Sequence, residues 1–158
     1  LAQDITWHFI GPLQSNKTRF IAENFAWLHS LDRLKIAQRI NEQRPDNLAP
    51  LNCLIQINIS DDENKSGIAP AEMMALSKEL LKLPKIRLRG LMTIPKAEQS
   101  TADLEKDFAN MAQLLRQLRT LTEHADTLSM GMSGDMELAI RHGATIVRIG
   151  TDLFGARN

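Results

Sequence analysis

Cys53-Leu54-Ile55-Gln56-Ile57-Asn58-Ile59 is the stretch on which the fold turns. It is apolar, rich in isoleucine, too short for a helix and bounded by polar residues, so it reads as a buried strand. A polar loop, Asp61 to Gly67, follows it. Pro70 then opens a helix reaching about Leu83, and Pro84 lies just past its end; proline is expected at both positions. Ile86 to Ile94 is apolar again and Pro95 closes it. Strand, helix and strand in this order make a βαβ unit, whose two strands run parallel.

The alternation continues in both directions. Toward the start, Ile5 to Ile10 is a run closed by Gly11-Pro12, followed by a helical pattern from Ser15 to Asn24. Ala26 to Ser30 is a second run, and Asp32 to Gln43 a second helix, broken by Arg44-Pro45-Asp46-Asn47. Toward the end, a long helix from Thr101 to His124 carries Leu104, Phe108, Met111, Leu114, Leu115 and Leu118 at helical spacing. Thr127 to Met132 reads as a fifth strand and Asp135 to His142 as a helix with Gly143 beyond its end. Thr145 to Ile149 is a sixth strand, and Gly150 to Asn158 opens one last turn. The strands recur at about 25 residues, the length of one strand-plus-helix unit. The pattern predicts a TIM-type (β/α)8 barrel with about six of its eight βα units present. An open doubly wound sheet is the rival. Residues 1–158 read as a single barrel domain that is N-terminally truncated, because Leu1 starts in mid-pattern.

Composition narrows the function. The 19 basic and 19 acidic residues cancel, which gives no electrostatic drive toward nucleic acid or an anionic membrane. No apolar run approaches the ~20 residues that span a bilayer. The single cysteine, Cys53, lies inside an apolar run. It reads as a buried reduced thiol of a cytoplasmic protein rather than as a nucleophile.

In parallel architectures chemistry sits at the C-terminal ends of the strands. Two such ends stand out. Gly131-Met132-Ser133-Gly134-Asp135 leaves a strand and enters a helix. Its small residues let backbone N–H groups approach a ligand, and Ser133 adds a hydroxyl where a helix start favours an anion. Ser133 as a plain N-cap is the competing reading. Arg148-Ile149-Gly150-Thr151 repeats the arrangement after the last strand. With two units missing upstream, these are the loops after the seventh and eighth strands, where such barrels often hold phosphate. Arg148, between Val147 and Ile149, needs a polar lumen or rim, and the lumen is the expectation. Lys17, Lys65 and Lys96 read as solvated. His8, His29, His124 and His142 have no metal-ligand spacing, and Asp61, Asp62 and Glu63 lack a calcium-loop pattern, so no metal site is expected.

The motifs resemble a known family. Trp7 to Lys17, Gln56 to Ile59 with Lys65-Ser66-Gly67, Arg89 to Pro95, Leu128 to Glu137, and Val147 to Thr151 with Phe154 to Arg157 are similar, in order, to motifs of the YggS/PROSC family of pyridoxal phosphate homeostasis proteins. The resemblance implies one barrel that binds pyridoxal 5′-phosphate (PLP), related to the N-terminal domain of alanine racemases. It implies phosphate contacts from Ser133, Gly150 and Thr151, with Met132 nearby and Arg148 facing the pyridine nitrogen, which weakens the ring as an electron sink. His8, Gly11 and Met92 match strand-end motifs lining the cavity. No catalytic residue is assigned: the Schiff-base lysine is expected upstream of residue 1, and its role is not transferred to Lys65 or Lys96. The implied function is intracellular homeostasis of PLP and amino acids without turnover, with PLP and PLP-dependent apoenzymes as partners. The alternative is a racemase or decarboxylase of the same barrel type. Racemases of that type pair the lysine with a tyrosine, and this sequence has no tyrosine. A phosphate-binding barrel enzyme unrelated to PLP is the third reading.

Overall fold

A computed structural model describes residues 4–63 and 65–156. Asn64 of the polar loop, and Arg157 and Asn158 at the end of the last motif, lie outside the described residues. Six strands form one sheet in chain order: β1 (His8–Phe9), β2 (Trp27–Leu31), β3 (Leu51–Gln56), β4 (Ile86–Met92), β5 (Thr127–Met132) and β6 (Ile146–Arg148). Every neighbouring pair is parallel. The helices that follow them in turn are α1 (Thr18–Asn24), α2 (Leu34–Gln43), α3 (Met73–Leu80), α4 (Thr101–Arg119), α5 (Met136–Arg141) and α6 (Thr151–Phe154). Short 3-10 turns at Ser15–Lys17 and Pro70–Glu72 lead into α1 and α3.

β2, β3 and β5 are buried on both faces for most of their length, as strands of a parallel sheet between a helical layer and a filled interior must be. Ile21, Ile40, Met73, Phe108 and Met111 from the helices meet Leu28, Cys53, Ile55, Leu88 and Leu128 from the strands in one apolar cluster. The β1 and β6 edges are not paired with each other, so among the described residues the sheet stays open. It nevertheless curls, because side chains of β1, β2, β5 and β6 meet across its inner face (below). This is a partial parallel barrel, and the flat, doubly wound rival does not fit it.

Several expected runs shorten at their ends in the structure. Of Ile5 to Ile10, only His8–Phe9 is strand. The ladder has a partner on one side alone, and Ile5 and Ile10 are exposed. The run from Cys53 ends as strand at Gln56, after which Ile57 makes one isolated bridge to Ile68.

Close approach explains Gly131. Its φ is +105°, and a Cβ there would lie 2.7 Å from the Ala139 Cβ. The missing side chain lets α5 pack tightly on β5, which fixes the loop carrying Ser133.

Candidate functional site

The loops after β5 and β6 share one cavity of about 810 Å³, lined by Met132, Ser133, Gly134, Gly150, Thr151, Phe154, Gly155 and Ala156. The Ser133 hydroxyl accepts a hydrogen bond from the Asp152 N–H at 3.1 Å, so the two loops are tied directly to each other. The competing reading of Ser133 as a plain N-cap is not seen: Asp135 holds that position of α5 and no side chain caps it. Asp135 Oδ1 instead accepts from the Met132 N–H at 2.7 Å and closes its own loop. Gly134 and Gly150 leave open space where a Cβ would stand. Thr151 is the first residue of α6, so its N–H has no partner within the helix. The loops therefore present a hydroxyl and small, approachable backbone to the cavity.

Met132 and Gly150 also border a second cavity of about 550 Å³, completed by His8, Ile10, His29, Ile94, Ile146, Val147, Arg148 and Ile149. It is the barrel lumen opening at the strand ends. Its walls are mostly aliphatic, and Arg148 is the one permanent cation among them.

Arg148 points into the lumen, as its place in an apolar strand requires. Its Nη1 donates to Ser129 Oγ at 2.6 Å and its Nη2 to the Thr93 carbonyl at 2.8 Å. Among the described residues its other guanidinium N–H groups have no hydrogen-bond partner. Beyond Ser129 the chain continues through His29 Nδ1 at 2.9 Å, then from His29 Nε2 to His8 Nδ1 at 2.8 Å. Burial, with the nearby His8 and Arg148, lowers the His29 pKa to about 3. Burial lowers that of His8 as well. Both rings are therefore neutral at neutral pH. Residues from the first and last strands thus meet through two bridging groups, which is the direct sign of curvature.

The structure brings together Ser133, Gly150, Thr151, Met132, Arg148 and His8 around two adjoining cavities. It does not bring Gly11 or Met92 there. Met92 is fully buried, and Gly11, with φ +126°, lines neither cavity; its carbonyl accepts from Ser30 Oγ at 2.6 Å. Sequence reasoning missed Ser129, Thr93 and the bridging use of His29. Polar residues inside apolar strands, such as Ser129 between Leu128 and Met130, were the available signal. Lys17 and Lys96 are exposed and Lys65 is half-buried, and none lines either cavity. Among the described residues no group of three His, Cys, Asp or Glu side chains is placed to hold a metal.

The alanine racemase N-terminal domain model matches residues 4–158. The chain belongs to the alanine racemase N-terminal domain family. Within the alanine racemase N-terminal domain family its similarity is to the homeostasis proteins, as the motifs implied. It is 58% identical, over 157 residues, to the pyridoxal phosphate homeostasis protein of Haemophilus influenzae, covering 98% of this chain and 66% of that protein. The chain thus spans about two thirds of the length of that relative. The structure of PipY from Synechococcus elongatus without PLP superposes with a TM-score of 0.90 at 36% identity, over 98% of this chain and 73% of PipY. PipY with PLP bound gives 0.86 at 34% identity, over 96% and 71%.

Proposed function

We propose that the two adjoining cavities hold PLP. Its phosphate would lie between Ser133 and Gly150-Thr151, and its ring in the lumen against Arg148. The observation that carries this reading is the joining of a glycine-rich cavity bearing the Ser133 hydroxyl to an aliphatic one with a single fixed guanidinium. That matches a phosphate attached to a flat apolar ring bearing one basic nitrogen. A relative's solved structure is described as having PLP bound, which supports the choice of ligand.

When bound, PLP supplies an electrophilic carbonyl and an electron-accepting ring. This chain's residues would orient it. Ser133 and the backbone of Gly150 and Thr151 grip the phosphate, Met132 covers the junction, and His8 stands at the floor. Arg148 does not give up its proton, so a pyridine nitrogen facing it stays unprotonated and the ring is a poor electron sink. That disfavours turnover and supports a reversible store of PLP serving homeostasis of vitamin B6 and amino acids, with PLP-dependent apoenzymes as exchange partners. In this reading residues 1–158 are part of one barrel domain. The third of the relatives' length that the chain does not span contributes the remaining strands and the cofactor-bonding lysine. Among the described residues no helix is long and apolar enough to cross a membrane. The free, buried thiol of Cys53 fits a cytoplasmic setting.

The test compares PLP with pyridoxal, which lacks the phosphate, by equilibrium dialysis. PLP is expected to bind more tightly, and Ser133→Ala to weaken PLP about tenfold, the scale of one charge-assisted hydrogen bond, while leaving pyridoxal unchanged. Equal affinities for the two compounds would refute the phosphate grip.

A further inference from the structure

The hydrogen bonds of the lumen have a fixed direction. Arginine only donates, so Ser129 Oγ must be the acceptor in its 2.6 Å bond to Arg148. Ser129 has one proton to place and is fully buried. The side-chain partner left for that proton is His29 Nδ1, at 2.9 Å. If Nδ1 itself carried a proton, the serine proton would be stranded in the interior, at a cost on the scale of a lost buried hydrogen bond. Nδ1 must therefore accept. A neutral His29 then carries its proton on Nε2 and donates it to His8 Nδ1 at 2.8 Å. His8 in turn is protonated on Nε2.

The surroundings favour the same state. The charged groups facing this chain are Arg148, with Asp135 beside it, and, beyond the Trp27 ring, Arg89. Trp27 stacks on His8 with centroids 5.2 Å apart, and the Arg89 guanidinium lies 4.8 Å over the same ring. Asp126 holds Arg89 through two hydrogen bonds of 3.0 and 2.8 Å. A second proton on either imidazole would place a cation between two arginines. It would also reverse a bond in the series.

We propose that His29 is the positioning residue for Arg148. It acts through the Ser129 hydroxyl, in a chain of single polarity that runs Arg148 to Ser129 to His29 to His8. Ser129 stays a good acceptor because His29 takes its proton. With the Thr93 carbonyl as the second anchor, Arg148 is held rigidly in the lumen, its other N–H groups aimed at the ligand. His29 itself touches no ligand. The idea rests on the PLP reading for its use, but not for its test, which needs no cofactor.

Two measurements on the unliganded full chain decide it. Long-range ¹H–¹⁵N correlation at neutral pH should show His29 and His8 both neutral, with the proton on Nε2. A proton on His29 Nδ1, or a doubly protonated ring, overturns the polarity. Exchange of the Arg148 guanidinium protons with water reads positioning directly. His29→Leu, similar in size but unable to accept, should speed that exchange about tenfold. His29→Gln, whose amide can both accept from Ser129 and donate to His8, should stay within about twofold of the unaltered chain. Unchanged exchange in His29→Leu overturns the positioning role, as does equal acceleration in both variants. Failure of PLP to bind would leave these outcomes untouched, so the two readings fail separately.

Discussion

Gly90 and Gly143 both have positive φ, +151° and +98°, but their surroundings differ. A Cβ on Gly90 would lie 1.7 Å from the Thr127 carbonyl oxygen, inside the β4–β5 pairing, whereas one on Gly143 meets nothing within 4 Å. Gly90→Ala should therefore cost more than about 4 kcal/mol and leave little folded protein, while Gly143→Ala costs about 1–2 kcal/mol of backbone strain. Denaturation followed by circular dichroism separates the two. His29 supplies a pH prediction. Its folded-state pKa, about 3, lies below the ordinary 6.5. The unfolded chain thus takes up the proton first as pH falls. The stabilising contribution is full above about pH 6.5 and is lost progressively toward pH 3, by a few kcal/mol in order of magnitude. His29→Gln should flatten the fall in unfolding free energy across that window; an identical fall in the variant would count against the buried neutral ring. At this scale the sequence was only half legible. Ser133, Gly150 and Arg148 announced themselves by their place after strands. Ser129 meets His29 across 100 residues, and no local pattern encodes that meeting.

Elements were read well at their centres and poorly at their ends. The long apolar stripe of α4 located that helix correctly, and Ser100 starts it by accepting the Asp103 N–H at 3.1 Å. Ser100→Ala should lower stability by about 1 kcal/mol, read as a shift in denaturation midpoint without a change in slope. The helix was expected to reach His124 but stops at Arg119. There Thr120 Oγ1 folds back onto the Gln117 carbonyl at 2.6 Å, and Arg119 Nε donates to the Ala125 carbonyl at 2.8 Å. Those side chains close the end with bonds that an apolar stripe does not reveal. The strand β1 was overestimated for a different reason. Hydropathy marks a run as fit for a sheet, but the ladder extends only as far as a neighbour accompanies it.

Across the whole molecule, the order of apolar runs was enough to predict parallel strands in sequence. The curl of the sheet is a consequence of packing that no single run states. It is the curl that turns two separate loops and an arginine into one site, since β5 and β6 deliver Ser133, Arg148 and Gly150 to the rim that β1 and β2 face from across the lumen. The proposed role of this rim is to bind PLP by its phosphate. A crystal structure of the chain soaked with PLP tests it most directly. Phosphate density is expected within about 3 Å, hydrogen-bond distance, of Ser133 Oγ and of the backbone nitrogens of Gly150 and Thr151, with the pyridine ring beside Arg148. Phosphate density elsewhere, such as in the polar cavity lined by Gln14, Asp32, Arg33 and Ser66, with the Ser133 loop empty, would contradict it.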